Sequence, residues 1–415
     1  MRRHTTNKPS ASTPYDSSAG EPGQHTGWQP QTIALHAGWH PDKPGDPLVP
    51  SWQPSTVFRH PPEGLDAGGM SYTRLDNPNR ASLEQTLARL ESEGSHRCEA
   101  LVYASGMAAV QAVFQLLSPG DHVLLAEDLY HGVRQLVTGS FARWGLRCDF
   151  VDTTDPDAVS AAATPQTRML WLESPSNPML SITDIGLLAE MCRERGWICV
   201  VDNTWCTPVI QRPIDLGAHI SLYSTTKYIG GHSDVLGGAL VIRVDGFAGD
   251  TPAEELVSQL RTEQRLSGAV PSPFDCWLLL RSLKTLYARI TLQCQTAAEL
   301  AVVLQEHARV RRVYYPGLAD HPGYEVAQCQ MAWPGAMISF EVRGDAQQTL
   351  KVVSSSRLLV PGTSLGGVES TWEHRKSSEH AGSATPDTLI RLSVGLEHVR
   401  DLRDDLERSL GVLQV

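Results

Sequence analysis

From Asn77 onward the chain alternates two hydrophobic patterns. RASLEQTLARLES places Leu83, Leu87 and Leu90 at the three- and four-residue spacing of one helix face. EALVYAS, HVLLAED, RCDFVDTT, RMLWLES, WICVVDNTW, HISLYS and GALVIRV are short apolar runs that predict strands. Between them GMAAVQAVFQLL and DIGLLAEMCRERG predict helices, the second ended by Gly196. The strands are continuously apolar, not alternating, as burial on both faces of a parallel sheet requires. Residues 100–245 therefore predict an α/β unit on a mostly parallel sheet. Chemistry in such sheets gathers beyond the C-terminal strand ends. Ser105, Tyr130, Glu173, Asp202, Ser224 and Thr226 follow these strands and are expected to share one crevice.

The rest of the chain reads differently. Residues 252–305 predict mostly helix, including one long run from Cys276 to Ala308. After Pro316 comes a smaller α+β segment with strands near AMISFEV and RLLV, then IRLSVGLEHV and a helix over 400–410. The expected organisation is a tail (1–30), an arm (31–75), a large cofactor-binding domain (76–265) and a small C-terminal domain (266–415). The tail is rich in Ser, Thr, Pro, Gly and Gln, and cannot bury enough surface to offset chain entropy, which predicts disorder. The arm carries five prolines between Pro41 and Pro54, with Trp39, Trp52 and Phe58. It predicts an ordered extension packed on something outside its own domain.

Composition removes several function classes. The chain has 46 acidic against 35 basic residues, net −11, so no basic excess marks a nucleic-acid footprint. No apolar run approaches the length of a membrane span. MRRHTTNKPS lacks the apolar core of a secretory signal. Eight scattered cysteines form no CxxC pair, which predicts reduced thiols in a cytoplasmic protein and no metal site.

The densest chemistry lies in Ser224-Thr225-Thr226-Lys227-Tyr228. A lysine just after a buried strand is costly unless paired or deprotonated, and desolvation lowers its pKa toward a Schiff-base amine. The hydroxyls of Ser224 and Thr226 flank it, which suits a phosphate-bearing aldehyde. Asp202 ends WICVVD and needs a cationic partner there; a protonated pyridine nitrogen is one. Ser105-Gly106-Met107 opens a helix whose backbone N–H groups can hold phosphate. Tyr130 offers a ring to stack on an aromatic cofactor. Each feature alone also fits a bland role: a surface lysine, a strand-end aspartate cap, an ordinary strand–helix junction, a rim tyrosine. Their order on successive strands matches what pyridoxal 5'-phosphate requires.

YTRLDNPNR, YASGMAA, ESPSNP, VDNTW, STTKYIGGHSDVLGG, PSPFDCWLLLRSLKTL, YYPGL, SLGGVES and RLSVGLE, in this order, resemble the Cys/Met-metabolism family of pyridoxal-phosphate enzymes. The likeness runs from about Thr32 to Leu410 and implies fold type I, like aspartate aminotransferase. It implies that Lys227 is the Schiff-base lysine that then moves protons, and that Asp202 holds the pyridine nitrogen. Ser224, Thr226, Gly106 and Met107 would bind phosphate, and Tyr130 would stack and serve as acid or base. Tyr72 and Arg74 match residues that reach the neighbouring subunit's phosphate, implying an active homodimer and, commonly, a homotetramer. Arg391, with Ser364 and Asn177, would hold the substrate α-carboxylate.

Three departures fall near the expected substrate mouth. Thr363 stands where cystathionine-handling members often carry glutamate before Ser-Leu-Gly-Gly. His374-Arg375 and SSEH replace a His-Pro and Met-Thr-His-like stretch, and His131 replaces a glycine after Tyr130. The implied activity is γ-elimination or γ-replacement on a γ-substituted L-amino acid, like cystathionine γ-lyases and γ-synthases. The alternatives are a γ-lyase with a small or non-sulfur leaving group such as halide, a homoserine sulfhydrylase or a methionine γ-lyase. A catalytically silent scaffold is opposed by the retained lysine, aspartate and arginine.

Overall fold

The computed structural model describes residues 27–39, 41, 43–60, 70–92, 94, 96–248, 251–379 and 383–413. Seven strands form the larger sheet: β1 (Cys98–Tyr103), β2 (His122–Ala126), β3 (Arg147–Val151), β4 (Thr167–Glu173), β5 (Ile198–Asp202), β6 (Ile220–Tyr223) and β7 (Gly238–Arg243). Their spatial order is β1-β7-β6-β5-β4-β2-β3. Pairing is parallel from β3 through β6, and β7 alone runs against its two neighbours.

The continuous apolar runs have the burial they predicted. Every residue of β2 is buried, as is all of β4 except Arg168. Alternate residues feed opposite layers. Leu125, Trp171 and Val200 pack under helices Gly106–Phe114 and Ala253–Ser267, while Leu124, Leu170 and Val201 pack against helix Ile185–Arg195. The helices begin on side-chain caps: Ser105 accepts from the Ala108 N–H at 3.1 Å, and Asp184 from the Leu187 N–H at 2.9 Å.

A two-stranded ribbon, β8 (Phe247–Ala248) and β9 (Thr251–Pro252), follows. The smaller sheet has β10 (Val310–Tyr314), β11 (Met337–Val342), β12 (Val360–Pro361), β13 (Thr371–His374) and β14 (Leu389–Ser393), in the order β10-β11-β14-β13-β12. The strand expected at RLLV is thus only its last residue plus Pro361. β13, in the polar stretch TWEH, carries no apolar run and was not expected.

The long helix expected from Cys276 to Ala308 is two helices, Pro273–Leu283 and Leu286–Glu306, joined at Lys284–Thr285. The break frees the Ser282 carbonyl, which accepts from Arg289 Nη2 at 3.1 Å, and Arg289 Nη1 reaches the Tyr228 carbonyl at 2.7 Å. The second helix then joins the two cores. Leu286, Ile290 and Cys294 share a cluster with helix Pro78–Glu91, and Ala297, Leu300 and Leu304 pack on the smaller sheet.

Residues 1–26 of the expected disordered tail lie outside the described residues. The arm is pinned to the large domain through backbone carbonyls. Trp277 Nε1 donates to Pro50 at 2.9 Å and Asn79 Nδ2 to Ser51 at 2.9 Å. Yet Leu48, Trp52 and Val57 stay exposed, Leu48 by 79%. Among the described residues no helix is long and apolar enough to cross a membrane.

Candidate active site

Three neighbouring strands end at one place. β4 stops at Glu173 and β5 at Asp202, which face each other in register, and β6 stops at Tyr223, just before Ser224. The Gly106 helix start meets them. A Cβ built on Gly106 would lie 2.9 Å from Ser224 Cβ and 3.0 Å from its Oγ, so only glycine lets the helix N-terminus approach the Ser224 hydroxyl. Met107, next in that helix, and Tyr130 converge on Gly132, where a Cβ would sit 3.0 Å from Met107 Sδ and 2.6 Å from Tyr130 Cε1. Tyr130 is 46% exposed, with its N–H donating to Glu173 Oε2 at 2.7 Å. Thr226 Oγ1 donates to the Gly237 carbonyl at 3.2 Å and accepts from its N–H at 3.1 Å.

Charge at these strand ends is under-compensated. Burial pushes Asp202 up to about 6, opposed by hydrogen bonds from Thr204 and the charge of Lys227. Its Oδ1 accepts from the Thr204 N–H at 3.0 Å, and it forms no ion pair among the described residues. Burial and the adjacent Asp202 together hold Glu173 well above the ordinary carboxylate range. Burial lowers Lys227 to about 8, with the Arg391 guanidinium pushing the same way. Lys227 Nζ donates to Ser364 Oγ at 2.6 Å.

Ser364 links this crevice to the smaller sheet. Its φ of 83° is left-handed, a costly conformation for a residue other than glycine. The turn aims its hydroxyl at Lys227 while its carbonyl accepts from Arg391 Nη2 at 3.5 Å. Arg391 lies on β14 and is buried, with Nη1 donating to Asn177 Oδ1 at 3.0 Å and Nη2 2.5 Å from Glu373 Oε1. Burial lowers Arg391 to about 10, and nearby Arg375 adds to that. Asn177 is held by a loop on Asp128, which takes the Ser176 hydroxyl and the Met179 N–H, the latter at 3.1 Å. Thr363 is exposed beside Ser364.

The structure thus brings together Gly106, Met107, Tyr130, Asn177, Asp202, Ser224, Thr226, Lys227, Thr363, Ser364 and Arg391. Tyr72 and Arg74 stand apart, at the end of the arm. Arg74 lies over the Tyr72 ring at 5.7 Å and Nη1 donates to the Arg265 carbonyl at 2.5 Å; neither bonds to Gly106, Ser224 or Lys227. Sequence reasoning missed Glu373 and marked Arg375 only as a departure near the substrate mouth. Glu373 sits directly opposite Arg391 in the β13–β14 register, a pairing invisible while β13 was unread.

Residues 31–411 match the family described as Cys/Met metabolism PLP-dependent enzyme. A cystathionine gamma-synthase of Mycobacterium tuberculosis is 44% identical over 389 residues, covering 92% of this chain and 97% of that protein. A cystathionine beta-lyase of Coxiella burnetii is 43% identical over 389 residues, covering 91% of this chain and 97% of that one. The crystal structure of a cystathione gamma lyase from Micromonospora echinospora superposes with a TM-score of 0.85 at 37% identity, covering 93% of this chain and 100% of that one.

Proposed function

The chain belongs to the Cys/Met metabolism family of PLP-dependent enzymes, and from that premise we propose that it acts at Cγ of a γ-substituted L-amino acid, by elimination or replacement. The residues present fit the cofactor. Asp202 is a half-buried carboxylate with no ion-pair partner among the described residues, and a pyridinium N–H would complete it. The Gly106–Ser224 contact leaves backbone donors and a hydroxyl where a side chain would otherwise intrude. When bound, pyridoxal phosphate supplies an electron sink for negative charge developing at the substrate Cα.

Each residue then has a task. The N–H groups of Gly106 and Met107 and the hydroxyls of Ser224 and Thr226 hold the phosphate. Asp202 keeps the ring nitrogen protonated, and Tyr130 covers the ring. Lys227 Nζ, neutral more readily than an exposed lysine, would hold the cofactor and would be the base for the substrate Cα proton. The same amine is placed to take a Cβ proton and return one as the γ-substituent leaves. Ser364 Oγ steers that amine while Arg391 and Asn177 hold the α-carboxylate. Tyr72 and Arg74, which reach nothing in their own crevice, serve the phosphate of a second copy, making the homodimer the active unit within a tetramer in the cytoplasm.

One observation carries this reading. A single strained residue, Ser364, touches both the reactive amine and the carboxylate clamp, so it sets where Cα sits relative to Lys227. A second reading rests on Thr363, which is exposed and uncharged beside that residue. It favours a side chain without a distal ammonium, hence a small or non-sulfur leaving group. The test is turnover in deuterated water with cystathionine, O-succinylhomoserine, homocysteine, methionine and a γ-halogenated amino acid, read by mass spectrometry. Read in the amino acid recovered after partial turnover, since a 2-oxo acid keeps no hydrogen at Cα, deuterium at both Cα and Cβ is expected. Label at Cα alone means β-chemistry and overturns the reading.

A further inference from the structure

Behind the carboxylate clamp lies a row of buried charges. Glu373 on β13 faces Arg391 on β14, with Oε1 2.5 Å from Arg391 Nη2. The same Oε1 is 2.9 Å from Arg375 Nη1, and the other oxygen accepts from the Ser378 hydroxyl at 2.9 Å. Arg375 opens the short turn Arg375–Ser378, and its Nε meets Glu379 Oε1 at 2.8 Å. All four charged side chains are nearly out of water, between 5% and 10% exposed. Arg391, Glu373, Arg375 and Glu379 therefore sum to no net charge in a poorly screened place.

The order of the row matters more than its sum. Glu373 already occupies one end of the guanidinium that would receive a substrate carboxylate. A bare Glu373 would cancel much of the attraction of Arg391 and repel the arriving anion, and weak screening would make that repulsion strong. A second cation on its far side removes most of this opposition. We propose that Arg375 is a positioning residue for substrate binding, which neutralises and orients Glu373 so that Arg391 can take an α-carboxylate. The proposal rests on the reading of Arg391 as the carboxylate clamp. Arg375 itself touches no substrate; it acts through Glu373.

The test measures equilibrium binding to the holoenzyme by calorimetry, with two probes: L-2-aminobutyrate, which has no γ-leaving group, and its α-carboxamide. In Arg375→Leu the dissociation constant for the acid is expected to rise about tenfold, as for loss of one close, poorly screened charge, with the amide within about twofold of wild type. Arg375→Lys keeps the charge and retains most of the acid affinity. In the double variant Glu373→Gln/Arg375→Leu the opposing charge is gone and acid binding returns to within about threefold of wild type, although Glu379 is as unpaired as in the single variant. Equal losses for acid and amide, no loss for either, or a double variant no better than Arg375→Leu would each overturn the proposal. Arg391→Leu separates the premise: if it keeps the acid-over-amide preference of wild type, the clamp reading itself fails. Thermal melts of each apoenzyme check that the variants are folded.

Discussion

The two halves of the site treat charge in opposite ways. At the ends of β4, β5 and β6 the acids form no ion pair among the described residues: Asp202 has Thr204 and the field of Lys227, and Glu173 has the Tyr130 N–H and faces another acid. Beside the smaller sheet the four buried charges behind Ser364 are matched, Arg391 to Glu373, Glu373 to Arg375 and Arg375 to Glu379. On the proposed function, the contrast separates two jobs. A site built for a permanent cofactor leaves charge unbalanced so that the ligand completes it. A site that admits and releases a zwitterionic substrate balances its charges in advance and leaves only a marginal preference.

The largest effect is expected where the imbalance is used directly. Lys227→Ala should lower turnover by about 10³–10⁴-fold, the scale of a lost acid–base group. Borohydride reduction of the wild-type holoenzyme followed by peptide mapping should modify Lys227. A variant that turns over normally, or a label elsewhere, would break the proposed division of labour on the cofactor side.

Asp202→Asn tests the imbalance itself. Removing one partner of a buried charge pair costs about 3–5 kcal/mol, so turnover should fall by roughly 10²-fold to 5 × 10³-fold with the fold intact. The absorbance of the bound cofactor should change as well, since the ring nitrogen loses its anion. An unchanged spectrum would mean that Asp202 meets no cation, and the contrast between the two halves would disappear.

The strand-end positions of these proposed cofactor-side residues were legible in the sequence for a physical reason. Asp202, Ser224 and Lys227 follow apolar runs whose burial is forced, so their place at a strand end needed no long-range knowledge. The substrate side was opaque. Glu373 lies in TWEH, where β13 is recruited by pairing with β12 and β14 and not by its own apolarity. Arg375 could be seen only as a departure from a pattern, because its partners Glu373 and Glu379 acquire meaning through a register and a turn. The break at Lys284–Thr285 was hidden likewise, since the Arg289 side chain that bonds across it also reaches the distant Tyr228 carbonyl. Arg391 was recognised by resemblance alone.

The cofactor side has a further asymmetry: its arm residues do not return to their own crevice. Arg74 is spent on the Arg265 carbonyl and the Tyr72 ring, with the apolar Leu48, Trp52 and Val57 exposed along the same arm. If each site borrows the arm of a second copy, Arg74→Ala and Lys227→Ala proteins should each be nearly inactive. Refolding them together in equal amounts should restore about a quarter of wild-type activity, because half the dimers are mixed and each mixed dimer holds one intact site. No recovery would place both residues in the same chain's site.

The smallest effect sharpens the contrast by supplying a buried acid that no ligand completes. Glu91 ends helix Pro78–Glu91 beneath the same strands and is wholly enclosed, taking the Tyr223 hydroxyl as a hydrogen bond. Burial raises it from 4.5 to about 8, with Asp215 adding to the shift. Where Asp202 awaits a cation, Glu91 keeps its proton. The folded state therefore binds that proton more tightly than the unfolded state, so the contribution to stability is full below about 4.5 and is lost as pH rises toward 8. Glu91→Gln keeps the neutral shape. It should leave turnover unchanged and alter urea stability at pH 5 by less than about 1 kcal/mol, the scale of one hydrogen bond. From pH 5 to pH 8 the wild type should lose roughly 3–4 kcal/mol that the variant retains. Parallel stability curves for the two proteins across that range would mean that Glu91 is ionised in the folded state. The contrast between an acid that burial alone keeps protonated and one that a ligand completes would then fail at Glu91.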